Sequence, residues 1–214
     1  MTFWRSADVW RRVAQKQLLR SQAAVASQNW RLATVANQRA QMAIGRAAAA
    51  SKLTSKDEQV LASLHYDLTE IYSVGGHMYA ALAQAEKAWQ LYHRLDPTGG
   101  DPTKVNNTLK AEDEQAVAHA ADALVRLARL RAVGLVQSRQ EAAEYARSAG
   151  HYQPIGGQPL SPADVQEQAW VRKHAELAVT CYERLTRISA RYGGSDLARV
   201  RSGRDRALAA LREL

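Results

Sequence analysis

The sequence has one cysteine, Cys181, so no intramolecular disulfide can form, and a reducing compartment is the expected setting. Phenylalanine occurs once and isoleucine is scarce, so the β-branched and aromatic runs that build strands are missing. No stretch approaches the roughly 18 consecutive apolar residues of a membrane span. The first residues, Met1 to Ser6, run into a charged helix without an apolar h-region, so no secretory signal is expected and the location expected is cytoplasmic. No glycine-rich loop carries a phosphate-binding lysine after a strand, and no histidine stands beside Glu or Cys at metal-ligand spacing. A catalytic role, a metal and a cofactor are therefore not expected.

What is present favours helix. Alanine is abundant, and 46% of the 214 residues are hydrophobic against 23% charged, the balance of a folded globular chain. Arginine outweighs lysine, which suggests a bacterial protein from a GC-rich genome. Apolar residues recur at helical spacing in Trp10, Ala14, Leu18, Ser21 and Val25, and again in Leu61, Leu64, Leu68 and Ile71. Gln28-Asn29, Gly75-Gly76, Gly134 and Gly193-Gly194 read as helix stops, and Asp96 to Pro102 as a loop. Ser55 to Glu58 has capping-box spacing, and Ser161-Pro162-Ala163-Asp164 reads as a cap followed by proline at the first helical position. The pattern predicts an all-α fold of about eight helices. These form four antiparallel hairpins in one domain, at about 6–50, 55–96, 108–149 and 161–213, with an irregular connector over 150–161.

The first two hairpins share small residues at fixed offsets. Ala33 and Ala40 in the first correspond to Ala81 and Ala88 in the second, with Trp30 and Met78 at the turns. The segment 64–97, with Tyr72, Ala81 and the closing Asp96-Pro97, resembles the tetratricopeptide repeat (TPR). Ala85 stands where that family has a large aromatic, and the spacing of 48 from Ala33 to Ala81 exceeds the family period of about 34 residues. The resemblance implies a TPR-like α-solenoid; a plain helical bundle is the alternative. It also implies a concave groove lined by Gln15, Gln22, Tyr66, Glu70 and Ser73, suited to a peptide or helix of a partner protein. The Lys/Asn clamp of chaperone-binding members is not evident, which argues against recognition of a C-terminal carboxylate.

Of the six histidines, His174 lies on the apolar face of its helix with Cys181, and both read as core or core-edge residues. Glu112, Asp113 and Glu114 read as a solvated first helical turn beside the positive end of the helix dipole. The net charge of +8 gives a second expectation. Lys173, Arg184, Arg187 and Arg191 form a basic stripe, joined by Arg199 and Arg206, that suits phosphates or an acidic protein. The function expected is thus a protein-interaction scaffold, with a basic nucleic-acid-binding protein as the alternative. Arg204, on the apolar side of the last helix, is expected to snorkel to water, to pair with a carboxylate, or to lie at a contact between copies in a homo-oligomer.

Overall fold

The computed structural model describes residues 6–106, 109–148 and 161–192, with 202, 204–206 and 208–209 near the C-terminus. The described residues form an all-α protein without strands. The helices are α1 (Ala7–Ala26), α2 (Trp30–Ala50), α3 (Ser55–Val74), α4 (Met78–Leu95), α5 (Ala111–Ser148) and α6 (Pro162–Tyr192), with a 3-10 turn at Pro102–Lys104. No helix among them is long and apolar enough to cross a membrane. The chain's contacts gather into two compact units, Met1–Gly100 and Asp101–Leu214.

The first unit is one frame used twice. The helix starts 7 and 55, the ends 26 and 74, and the second starts 30 and 78 each differ by 48. The turns match bond for bond. Ser27, Gln28 and Asn29 donate their backbone N–H groups to Ala23, Val25 and Ala24, while Gly75, Gly76 and His77 donate to Ile71, Ser73 and Tyr72. Gln28 (φ 57°) and Gly76 (φ 73°) take the same left-handed conformation, which costs an L side chain energy and glycine almost none. Small residues occupy the matching interior sites: Ala14 and Ala62, Ala33 and Ala81, Ala40 and Ala88 are all inaccessible to solvent.

Helix α3 packs on both α1 and α2. Arg11 meets Asp57 and Ser21 meets Asp67, the same offset of 46 each time, so α1 and α3 run parallel. Ala14, Leu18, Ala40, Ala43, Ile44, Val60 and Leu64 form the shared core, as the helical spacing predicts for α1 and α3. Buried Asn37 of α2 donates to the Leu64 carbonyl at 2.8 Å and accepts from Gln41 at 2.9 Å, which satisfies both ends of its amide. The predicted loop after α4 is held by Asp96, which accepts from the Thr98 backbone and hydroxyl and from the Gly100 backbone.

The capping box at α3 lies one residue earlier than the sequence pattern places it. Thr54, not Ser55, is the N-cap, and Asp57, not Glu58, completes the box. Asp57 alone points inward, so burial selects between two adjacent acids of equal local propensity. At α6 the predicted cap holds, with the Asp164 N–H donating to the Ser161 hydroxyl at 3.1 Å.

In the second unit the hairpin expected over 108–149 does not form. Helix α5 continues through Gly134 for 38 residues and pairs antiparallel with α6 instead. A lone mid-helix glycine costs only about 1 kcal/mol, and no second glycine or proline follows to stop the chain. Ala128 and Ala132 close on Val171, with Trp170 against them, so α5 is anchored up to the glycine and continues beyond it on helix propensity. From Val136 onward every described side chain of α5 except Ala143 is exposed, so the segment predicted as a packed helix is an outward extension. The predicted break at Gly193-Gly194 lies outside the described residues; the described part of 202–209 is helical.

Two backbone substitutions test this account. A Cβ at Gly134 meets no atom within 4 Å. Gly134→Ala therefore raises stability by about 1 kcal/mol in thermal unfolding followed by circular dichroism. Gln28→Gly relieves the left-handed strain and stabilises the first unit by roughly 0.5–1 kcal/mol, whereas a loss would show that the Gln28 side chain contributes a contact of its own.

Candidate functional site

The parallel course of α1 and α3 leaves an open groove of about 940 Å³ in the first unit. Its floor is apolar, from Leu18, Ile44 and Val60, all buried. Its walls carry amides and hydroxyls, among them Gln15, Gln22, Gln59 and Ser63. Arg11, Arg12, Lys56 and Asp57 also line it. An apolar floor with a few convergent hydrogen-bonding groups is the general build of a ligand or peptide site.

The Arg11–Asp57 pair fixes the helices that form the groove. Arg11 Nε donates to the two Asp57 oxygens at 3.1 and 3.0 Å, Nη1 to Asp8 at 3.1 Å, and Nη2 to the Ser51 hydroxyl at 2.9 Å and the Lys52 carbonyl at 3.1 Å. One guanidinium thus joins α1, the end of α2 and the start of α3. Burial pushes the Asp57 carboxyl up, but the Thr54 backbone and hydroxyl donors and the Arg11 charge outweigh it and hold its pKa below the ordinary value of 3.8. Asp57, with Asp8, holds the Arg11 guanidinium more firmly protonated than usual. Nothing in the local sequence flags this pair; the 48-residue frame places Asp57 two positions short of the equivalent of Arg11, and only packing brings the two together.

Of the groove residues expected by resemblance, Gln15 and Gln22 are exposed on α1 and line this cavity. Tyr66, Glu70 and Ser73 are half-buried on one face of α3, and they lie beyond the cavity's lining. Sequence reasoning missed Arg12, Lys56 and Gln59, which reach the groove because the N-terminal half of α3 lies along α1. That proximity has no signal in a single sequence.

The basic residues of the second unit are dispersed in role. Lys173 and Arg187 are exposed. Arg184 is half-buried and donates to the Thr103 carbonyl at 3.2 Å. Arg206 is committed to Asp122 at 2.8 Å, an oxygen that also accepts from the Tyr182 hydroxyl. Tyr182, expected on a different face from the basic stripe, is fully buried. Arg204 pairs with Asp205 at 3.1 Å, one of the outcomes the sequence allowed. Only the backbone of Arg191 is described, and Arg199 lies outside the described residues. Cys181 is buried, and among the described residues no three His, Cys, Asp or Glu side chains gather as metal ligands. His174 stacks on Trp170 and bonds to its carbonyl at 2.7 Å, a core-edge role, and His151 lies outside the described residues.

No protein-family model matches the chain, and neither the curated proteins nor the solved structures contain a significant match.

The Asp57 pKa shift predicts a pH dependence. A depressed carboxylate pKa contributes stability that is complete above 3.8 and is lost as pH falls below it through the folded-state value. Asp57→Asn removes this contribution and costs about 2 kcal/mol at neutral pH, the loss of charge-assisted hydrogen bonds. Urea unfolding at neutral pH and near pH 3 checks it: the gap between wild type and variant closes on acidification.

Proposed function

We propose that this chain is a TPR-like, cytoplasmic interaction scaffold whose α1/α3 groove takes a peptide or helical segment of a partner protein. The observation that carries the reading is the groove itself: an apolar floor for an anchoring side chain, flanked by the exposed amides of Gln15 and Gln22. The repeated hairpin frame supports it, because stacked hairpins hold such a surface rigid without loops. The amides donate and accept, so they suit the unpaired backbone of an extended or helical ligand end.

The nucleic-acid alternative has less support. Arg206 and Arg184 are engaged by Asp122 and the Thr103 carbonyl, and Glu176 and Glu183 stand exposed among the remaining cations of α6. Counterion release needs cations free to meet phosphates, and this surface offers fewer of them than its sequence suggests.

A tagged pull-down under nuclease, read by mass spectrometry, tests the proposal. A discrete protein partner is expected to survive nuclease, and the Gln15→Glu/Gln22→Glu double variant is expected to recover roughly tenfold less of it, as removal of central interface contacts does. Recovery of nucleic acid alone, or a partner indifferent to both substitutions, would sink the reading.

A further inference from the structure

The outer face of α2 begins beside its buried alanines and turns away from them toward solvent. It exposes Leu32 (49%), Val35 (37%) and Met42 (60%). These three share a helical stripe with exposed Arg39, and Arg31 flanks it. Helix α2 holds three arginines and no acidic residue over its 21 residues.

The duplicated frame provides an internal control. The positions 48 residues on, on α4, are Ala80 for Leu32, Ala83 for Val35 and Gln90 for Met42, and α4 carries Glu86. The second hairpin thus forms the same backbone with small or polar residues at these positions. The large aliphatic side chains on α2 are therefore not required to build a hairpin, and leaving them in water gains no burial energy.

We propose that the outer face of α2 is a second docking surface, which takes an acidic amphipathic helix from a partner protein. Apolar residues of that helix cover Leu32, Val35 and Met42, and its carboxylates meet Arg31 and Arg39. Charge complementarity selects the occupant: a surface with arginines and no acid favours carboxylates, which guanidinium groups bind with paired hydrogen bonds. The placement of Arg39 selects a protein over a bilayer. At 100° per residue it falls between Leu32 and Val35 on the stripe, so a membrane would have to receive a guanidinium within the apolar face. A facing helix offers it a carboxylate instead. This surface is independent of the α1/α3 groove, so either site stands without the other.

Met42 is a direct reporter. The full chain is labelled at the methionine methyl groups with carbon-13 and titrated with a synthetic helical peptide bearing leucine on one face and glutamate beside it. Half-buried Met78, at the turn of the second hairpin, is the control. The expected result is a saturable shift of the Met42 methyl with Met78 unmoved, weakening with added salt. A peptide with lysine in place of glutamate is expected to give no shift. Arg31→Glu/Arg39→Glu is expected to weaken binding roughly tenfold or more with an unchanged circular-dichroism spectrum, since like charges then face each other. Gln15→Glu/Gln22→Glu, the groove variant, is expected to leave the Met42 response intact. A Met42 signal that ignores the acidic peptide, follows the lysine peptide equally, or responds instead to phosphatidylserine vesicles or duplex DNA overturns the proposal.

Discussion

The first unit depends on how closely its helices cross. Ala14, Ala33 and Ala40 in the first hairpin, and Ala62, Ala81 and Ala88 in the second, are sealed from solvent. An alanine interface gains little per residue from transfer out of water, because each side chain is one methyl group. Its strength lies in close approach: backbones packed at small residues make many dispersion contacts and lose almost no side-chain entropy. Such a crossing tolerates no enlargement, so it fixes the angle and register of each pair. The turns, the helix ends and the groove follow from that register.

Small-residue packing is weakly specific, since one alanine resembles the next. Polar groups provide the discrimination. Asn37 reaches from α2 to the Leu64 carbonyl of α3, Ser21 of α1 donates to Asp67, and Arg11 joins three helices through Asp57. Each is buried or nearly so, and sliding α3 by one turn would strand all three at once. The second unit uses the same device at Asp122, which accepts from Tyr182 of α6 and from Arg206. The polar contacts that specify the packing also consume charge. The 29 Lys and Arg residues include Arg11 and Arg206, yet both guanidinium groups are engaged by carboxylates. The count of basic residues therefore overstates the cations available to a ligand.

The two proposed surfaces differ for a physical reason. The α1/α3 groove arises from stacking: its floor is core that the helix spacing leaves open. The α2 face arises from sequence alone, because the second hairpin shows that the same backbone does without large side chains there. The first site is a by-product of the architecture that polar walls make selective. The second is an added feature on a frame that does not need it.

The sequence by itself determined the all-α class, the limits of α2, the stop of α3 at Gly75-Gly76, the loop at Asp96 to Pro102, the cap at Ser161 and the 48-residue offset. These are short-range properties, set by propensity, helical periodicity and turn chemistry. Gln15 and Gln22 came from the resemblance to the tetratricopeptide repeat, not from the periodicity of the chain. Tertiary structure decided the rest. Gly134 looks like a stop, but Val171 and Trp170 of α6 anchor α5 just before it, and one glycine does not end a helix so anchored. Asp57 outranks Glu58 as the capping acid because only Asp57 faces Arg11. Tyr182 is buried and Arg206 engaged because both meet Asp122, 60 and 84 residues earlier. Each of these depends on a contact between distant segments, and a contact exists only once the helices have chosen their partners.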